Sequence, residues 1–223
     1  MNKHDNKSLD LRRKPANDRK EAKQNTATIG QTKKPGFLKR NKRLLLVLLA
    51  IVLIGIAIYV LFLLLWPKVQ KKSAKEIYSS AQQATSDTDM VFIPSAGIQA
   101  EIAEGGADQL DRGKAWHRFP DRGDPQKGGN FIITGHSFVW GYSPGETSKK
   151  SIFYSLGDAK PGDEVIVRWN KQMYNYTITD KQTVKPTEVA IEAASKIPQL
   201  TIYTCTQGGT ADGRIVLVAK SKS

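Results

Sequence analysis

One uninterrupted apolar segment constrains this chain more than any other feature of its sequence. Residues 44–66 contain no charged side chain, and about twenty apolar residues are enough to cross the hydrocarbon core of a bilayer as a helix. A cleaved signal peptide has a shorter apolar core and small residues at its exit, whereas this segment ends in "LLLWPKVQKK". We therefore predict one uncleaved transmembrane helix over residues 44–66.

The charges that flank this segment predict its orientation. Residues 1–43 hold fourteen Lys or Arg and four Asp or Glu, so this arm carries +10 of the net charge of +13. Since Lys and Arg are enriched on the cytoplasmic side of membrane spans, we predict a single-pass protein of the cell membrane with a cytoplasmic N-terminus. The arm has too few large apolar residues to fold. We predict that it is disordered and contacts membrane lipid head groups, and that it binds no nucleic acid.

The remaining chain divides into a short connecting segment and a larger domain. Residues 67–89 are polar with helical spacing, which predicts a juxtamembrane helix or stalk. Residues 90–223 consist of short apolar runs separated by Gly, Pro, Asp and Asn, a pattern typical of an all-β barrel or sandwich outside the membrane. Within this domain we predict one helical turn near residues 107–110 and a surface loop over residues 138–151.

Three polar residues stand at the edges of apolar runs. His136 follows "NFIITG", Cys205 follows "LTIYT", and Arg214 precedes "IVLVA". Because strand ends meet at the rim of a barrel, the three side chains can meet in space. A cysteine thiolate is a nucleophile, a histidine can protonate a leaving amine, and an arginine can donate hydrogen bonds to an oxyanion. Taken singly, each also fits a structural role, since a lone cysteine is often simply buried.

The sequence segments around these residues resemble those of a known family. The segments "NFIITGHS", "IFYSLGDAKPGDEVIV", "LTIYTC" and "DGRIVLVA" are similar to those of the sortases, membrane-anchored cysteine transpeptidases that attach surface proteins to bacterial envelopes. The resemblance covers about residues 90–220 and implies an eight-stranded β-barrel with short helices. It implies His136 as general acid/base, Cys205 as nucleophile and Arg214 as the residue that stabilises the oxyanion and orients the substrate. Thr204 matches a position that helps shape the substrate groove.

The same resemblance implies a reaction and its partners. A sortase cleaves a sorting motif of the Leu-Pro-x-Thr-Gly type between Thr and Gly, forms a thioester, and transfers the acyl group to an amine on the envelope or on a pilin. Surface or pilin proteins with such a motif are the implied substrates. The short interval between Cys205 and Arg214 resembles class D or class E sortases more than class A. The acidic loop residues with which class A binds calcium have no clear counterpart, so we predict no metal and no cofactor.

Two other functions fit parts of the same pattern. An L,D-transpeptidase also pairs Cys with His, but its cysteine lies in a Ser-His-Gly-Cys context that "YTCTQGG" does not resemble. A non-catalytic, membrane-anchored β-barrel binding module needs no reactive thiol. His117, the second histidine of the domain, is placed by its sequence in a turn-rich loop, where we expect it to be dispensable. Trp140 and Tyr142 are expected to cover the groove, contact substrate or pack on their own loop.

Overall fold

The computed structural model describes residues 41–83 and 87–222. The predicted disordered arm, apart from its last three residues, lies outside this part of the chain. Two units are distinguished, residues 1–47 and residues 48–223. The second unit contains the whole β-domain, and the description below concerns mainly that unit.

The first helix, α1 (Lys42–Val69), contains the predicted membrane span. It begins two residues before the predicted segment and ends three residues after it. Within the described residues it is the one helix that is long and apolar enough to cross a membrane. Its apolar side chains are exposed around most of the helix, a distribution that suits contact with lipid on all sides. The helix is compatible with a single-pass membrane protein.

The β-domain is a closed barrel of eight strands. Neighbouring strands pair in the order β3-β2-β1-β6-β7-β9-β8-β5, and β5 pairs with β3 to close the ring. A ninth, two-residue strand, β4, pairs with β5. The strands are β1 (Met90–Ile93), β2 (Ile98–Ala103), β3 (Ala115–His117), β4 (Gly123–Asp124), β5 (Gly128–Thr134), β6 (Glu164–Trp169), β7 (Gln172–Val184), β8 (Gln199–Thr206) and β9 (Gly209–Ser221). The predicted all-β, eight-stranded barrel is confirmed.

Alternation along the strands separates an inner core from an outer cluster. Leu200 and Ile202 of β8 belong to the large core inside the barrel, while Tyr203, between them and the strand end, packs on the outside with Ile132 and Val216. Side chains two apart on a strand point to the same face. Each fully buried large apolar side chain stabilises the fold by about 1.5–3 kcal/mol, so this alternation fixes which residues of β8 face outward.

Three short helices decorate the barrel: α2 (Ala74–Gln83), α3 (Asp108–Asp111) and α4 (Pro144–Lys150). α2 is the predicted juxtamembrane helix, and its Ile77 and Ala81 are buried on the outside of the barrel against Phe92 and Ile166. α3 is the predicted helical turn.

The predicted surface loop over residues 138–151 is wrong in its second half, which forms α4. Ser143 is the N-cap, and its Oγ accepts a hydrogen bond from the backbone N–H of Glu146 at 3.2 Å. Pro144 follows at the first helical position, where its fixed φ and missing N–H are tolerated. Ser143 and Glu146 have the spacing of a capping box. This start signal is local, and it sets the beginning of α4 at Pro144.

Candidate active site

Strand pairing brings the three predicted catalytic residues together. β8 lies between β5, to which it is parallel, and β9, to which it is antiparallel. Cys205 lies directly opposite Arg214 in the register of β8 and β9. Thr134 pairs with Tyr203, so the chain that continues two residues past Thr134 carries His136 to the level of Cys205. The three residues therefore occupy three neighbouring chain segments at one end of the barrel.

Cys205 and Arg214 share the outer face of the sheet. Cys205 has the same alternation as Tyr203, which belongs to the outer cluster, and a directly opposed residue such as Arg214 shares its face. Cys205 is free and partly exposed. Its thiol is therefore placed where a substrate can approach, unlike the fully buried Leu200 and Ile202 of the same strand.

The backbone before His136 is held tightly. A Cβ on Gly135 would lie 2.7 Å from a ring carbon of Phe153 and 2.8 Å from a side-chain carbon of Ile152, so any larger residue would displace the chain that carries His136. Thr204 is buried, and its hydroxyl donates a hydrogen bond to the Gly135 carbonyl at 2.7 Å. This contact joins the residue before Cys205 to the residue before His136. That Thr204 shapes a substrate groove stays a prediction.

The ring of His136 contacts a carboxylate that the sequence did not indicate. Nε2 of His136 lies 3.5 Å from Oδ1 of Asp111, the last residue of α3. The histidine side chain is 29% exposed and the aspartate side chain 80% exposed, so water weakens the pair. No local spacing links Asp111 to His136, since they meet only through the tertiary fold.

A β-bulge positions Arg214. The register passes from Cys205 opposite Arg214 to Thr206 opposite Gly209, so residues 210–213 are left unpaired with β8. The Arg214 Nη1 donates hydrogen bonds to the carbonyls of Thr210 and Gly213, both at 2.9 Å. Bulges commonly redirect a side chain beside an active site. Here the bulge follows directly after the position where Arg214 stands opposite Cys205, and its carbonyls hold the guanidinium.

The segment between β7 and β8 forms a wall over the outer face. It contains a short 3₁₀ helix, Val189–Glu192, and encloses with β5, β8 and β9 a cleft of about 440 Å³. Among its lining residues are Asn130, Ile191 and Val216. The Asn130 side chain donates to the Ala193 carbonyl at 2.8 Å. The wall is thereby attached to β5, the strand that leads to His136.

A buried polar cluster attaches the same wall to β8. The Glu192 carboxylate lies 3.0 Å from the Arg118 guanidinium and accepts a hydrogen bond from the Tyr203 hydroxyl at 2.5 Å. Arg122 donates to the Glu192 carbonyl. Burial, and then the hydrogen bond to Glu192, raise the pKa of Tyr203 to about 12. Sequence reasoning missed this cluster because its members come from distant segments with no shared motif.

No cluster of three or more His, Cys, Asp and Glu side chains that could hold a metal ion occurs in the part of the chain that the structure describes. The lone cysteine is accordingly not part of a set of metal ligands there.

The prediction that His117 lies in a turn-rich loop is wrong. His117 ends β3 and is buried, 1% exposed, with its ring 4.7 Å from that of Phe131 and 5.3 Å from that of Trp169. Its Nε2 lies 3.1 Å from the Gly123 carbonyl and its Nδ1 3.1 Å from the Glu104 carboxylate. A carbonyl only accepts, so Nε2 carries a hydrogen. Both ring nitrogens are engaged, and the ring has no access to the outer face.

Comparison with known proteins agrees with this arrangement. The family model described as "Sortase domain" matches residues 91–222. Sortase A of Listeria monocytogenes is 26% identical over 92 residues, which are 41% of this chain and 38% of that protein. The match thus spans well under half the length of that relative.

Solved sortase structures share the fold. Listeria monocytogenes sortase A matches with a TM-score of 0.52 at 20% identity, covering 62% of this chain and 89% of that one. The Clostridium perfringens sortase D5 transpeptidase gives 0.51 at 22% identity, covering 68% and 89%. Sortase C-1 of Actinomyces oris gives 0.51 at 21%, covering 70% and 85%. Since A, C and D sortases match equally well, the class D or E resemblance stays a prediction. With its sortase domain spanning more than half of its length, the chain belongs to the sortase family.

Proposed function

We propose that this protein is a membrane-anchored cysteine transpeptidase that cleaves a Leu-Pro-x-Thr-Gly-like sorting motif between Thr and Gly. The observation that carries the proposal is the partly exposed thiol of Cys205, which stands opposite Arg214 in the register of β8 and β9 and at the level of His136, two residues past the end of β5. Membership of a family of cysteine transpeptidases supports it. A binding module would have no need for this combination of a nucleophile, an acid and a fixed cation.

The first half of the reaction forms an acyl-enzyme. The Cys205 thiolate attacks the carbonyl carbon of the Thr residue, and the carbonyl oxygen becomes an oxyanion. Arg214, which keeps its charge at any relevant pH, donates hydrogen bonds to that oxygen. Nε and Nη2 of Arg214 have no acceptor among the described residues, whereas Nη1 is held by two carbonyls. His136 then protonates the leaving glycine amine, the C–N bond breaks, and the thioester remains on Cys205.

The second half transfers the acyl group. A nucleophilic amine on the envelope or on a pilin subunit attacks the thioester while His136 accepts its proton, so a new amide bond forms and the thiolate is released. Surface or pilin proteins that carry the motif are the acyl donors. Water in place of the amine gives hydrolysis. The cleft under the 3₁₀ helix, on the same outer face of β8 and β9 as Cys205, is the proposed path of the bound peptide. Thr204 lies on the opposite face and acts on the site through its hydrogen bond to the Gly135 carbonyl.

The anchor determines where this happens. With α1 as a single-pass span and the basic residues before it in the cytoplasm, the barrel lies outside the cell membrane, and the arm contacts anionic lipid on the inner side. A protease-protection assay on sealed inverted vesicles tests the orientation. The barrel should be protected and residues 1–41 removed. Protection of the arm and digestion of the barrel would show the opposite orientation.

The activity is tested on the full chain in detergent. Peptides with Leu-Pro-x-Thr-Gly and with Leu-Ala-x-Thr-Gly are incubated with the enzyme and triglycine, and the products and the intact enzyme are weighed by mass spectrometry. We expect cleavage after Thr, a triglycine adduct of the N-terminal fragment, and a thioester on Cys205. The Cys205→Ala variant should show none of the three. Product formation that survives Cys205→Ala would remove the cysteine from the mechanism.

The binding-module alternative makes a different prediction for the same thiol. Native protein is treated with iodoacetamide over a range of pH, and the modified residue is identified by peptide mapping. If the site is reactive, iodoacetamide modifies Cys205 in the folded protein. Pre-incubation with the sorting peptide that the enzyme cleaves then slows this modification. A thiol that resists alkylation in the folded protein, together with peptide binding but no thioester, would favour the binding module.

A further inference from the structure

We propose that the segment Phe138–Ser143, here called the aromatic loop, is a membrane-docking surface that lies on the lipid bilayer crossed by α1. Trp140 and Tyr142 would enter the interface between lipid head groups and hydrocarbon. The inference rests on the proposal that α1 spans the membrane, and it concerns a segment to which the proposed chemistry assigns no role.

The aromatic loop exposes apolar surface although its backbone is well fixed. The Trp140 side chain is 54% exposed and the Tyr142 side chain 96% exposed. Gly141 donates to the Thr147 hydroxyl at 3.0 Å, and Tyr142 donates to the Glu146 carboxylate at 2.9 Å. A loop that is ordered by such bonds and still presents two large aromatic rings to the outside has a surface ready for a partner.

An aromatic contact fixes the direction of Trp140. Its ring meets that of Phe138 edge to face, with centroids 5.2 Å apart, and Phe138 in turn contacts Tyr154 at 6.2 Å. The Trp140 ring is therefore supported from the barrel side and open on the other. Trp and Tyr are the residues enriched where a protein meets the membrane interface, because each combines an apolar ring with one polar group.

The chain connection requires this side of the barrel to be close to the membrane. Only residues 70–73 separate the end of α1 from the start of α2, and four extended residues span at most about 14 Å. Lys71, two residues past α1, forms an ion pair with Asp158 at 2.8 Å. The surface that bears Asp158 therefore lies at the end of the span, whatever the tilt of α1.

The aromatic loop lies on this same side. A cleft of about 390 Å³ is lined both by residues just after the span, including Lys71 and Lys72, and by residues of and after α4, including Lys149 and Tyr154. The Tyr59 hydroxyl of α1 also donates to the Tyr142 carbonyl at 3.3 Å. The loop thus approaches the apolar helix itself, at a level that lipid would occupy.

The charges near the loop suit an anionic bilayer. Lys149 at the end of α4 is exposed, and Lys68 and Lys72 follow closely after the apolar segment of α1. Basic residues at a membrane surface are attracted by anionic lipid. A peptide substrate is the other occupant to consider. Lipid is favoured because the loop adjoins the membrane-proximal segment, whereas the cleft of the proposed peptide path lies under the segment between β7 and β8.

Docking would orient the active site. The aromatic loop begins two residues after His136, and the His136 carbonyl accepts a hydrogen bond from Phe153 at 3.0 Å in the segment that follows α4. Contact between the loop and lipid would therefore hold the catalytic end of the barrel at a fixed distance from the bilayer. A substrate tethered in the same membrane would then present its cleavage site at the level of Cys205.

The first test reads the environment of the loop directly. Because Cys205 is the only cysteine, a Cys205→Ala background allows one fluorophore to be attached at Tyr142→Cys. The matched control is Val189→Cys, since Val189 is likewise an exposed apolar residue, 74% exposed, but on the wall segment. The full chain is reconstituted in vesicles of phosphatidylglycerol and phosphatidylcholine, with and without lipids that carry a spin label near the head group.

We expect blue-shifted emission and at least two-fold quenching by spin-labelled lipid for the probe at residue 142, and neither for the probe at residue 189. Equal, water-like emission at both sites would overturn the inference. This readout needs no enzymatic activity, so it can fail or succeed independently of the proposed transpeptidation.

The second test separates lipid contact from substrate contact. The Tyr142→Ser variant is assayed in vesicles with a soluble sorting peptide and with the same peptide fused to a membrane-spanning helix. Docking predicts an unchanged kcat/KM for the soluble peptide and a several-fold lower one for the tethered peptide. An equal fall for both would show that the loop contacts substrate instead, and no change for either would show that it contributes nothing to presentation.

Discussion

The two histidines of the β-domain belong to neighbouring strands of one barrel and have opposite surroundings. His117 ends β3, His136 follows β5, and β3 pairs with β5. The His117 ring is buried, lies against two aromatic rings, and has a hydrogen-bond partner at each nitrogen. The His136 ring is partly exposed, lies past the end of its strand, and has one solvent-exposed carboxylate beside it.

This difference shows what separates a structural histidine from one available for proton transfer. A ring whose two nitrogens are both bound inside a core cannot reach a substrate and is costly to disturb, because its partners would be left unpaired. A ring at the end of a strand with a weak, exposed partner can exchange protons with a ligand. The residue type is the same in both cases. What differs is whether the backbone places the imidazole inside the core or at the partly exposed end of the barrel.

The roles of the two histidines are tested by removing each ring in turn, beginning with His136. His136→Ala should lower kcat/KM for transpeptidation by about 10²–10⁴-fold, the contribution typical of a positioned general acid or base. Because the side chain is partly exposed and packs little, the thermal unfolding midpoint should stay near that of the wild type. Both quantities are measured on the full chain in detergent. A loss of activity accompanied by an equal loss of folded protein would mean that His136 is structural after all.

Arg214 tests whether the bulge in β9 positions a guanidinium or merely a positive charge. Arg214→Lys keeps the charge but loses the planar set of donors, so kcat should fall about 10²-fold, the effect of removing one oxyanion donor, while KM changes less. Steady-state kinetics with the sorting peptide separates the two constants. Full activity in the lysine variant would show that only the field of the cation matters.

His117 should give the opposite outcome to His136. In His117→Leu the new side chain still packs against Phe131 and Trp169, but the Gly123 carbonyl loses its hydrogen-bond donor. A buried polar group without a partner costs about 1–3 kcal/mol of folding free energy. We expect a lower unfolding midpoint and, for the fraction that remains folded, an unchanged kcat/KM. Glu104→Gln is a milder companion variant, since it removes the charge beside Nδ1 and leaves the ring in place.

How far the sequence predicted this molecule depends on whether a feature is local. The barrel followed from apolar runs and turn residues, and the three proposed catalytic residues were chosen from short segments similar in sequence to those of a family. The placement of His117 failed because β3 is only three residues long, and its burial depends on β2 and β5 rather than on its own neighbours. The N-cap at Ser143 is a local signal in the sequence, and the loop prediction for residues 138–151 did not use it.

The side chains that contact residues of the site from distant segments could not be predicted from the local sequence. Glu192 meets Arg118 and Tyr203 only because the segment between β7 and β8 folds back over the outer face. Asp111 meets His136 only because the connection between β2 and β3 passes the end of β5. Neither pair has a spacing that a single sequence reveals, since the distance in space is set by the barrel and not by the interval along the chain.

Asp111 gives the smallest predicted effect and the finest test of the comparison. Its carboxylate is exposed, so the pair with His136 is worth about 0.2–1 kcal/mol. Asp111→Asn should therefore lower kcat/KM by roughly 1.4- to 5-fold. Asp111→Glu keeps the charge and should restore part of the activity, which steady-state kinetics of both variants measures.

Asp108→Asn, on the same helical turn but paired with Arg112 at 2.9 Å, is the matched control and should leave kcat/KM unchanged. If the Asp111 and Asp108 variants behave alike, the histidine works without help from α3. If Asp111→Asn instead lowers kcat/KM by 10²-fold or more, the carboxylate contributes more than a weak, exposed contact with His136 can explain. The exposed histidine would then depend on its partner as strictly as the buried one does.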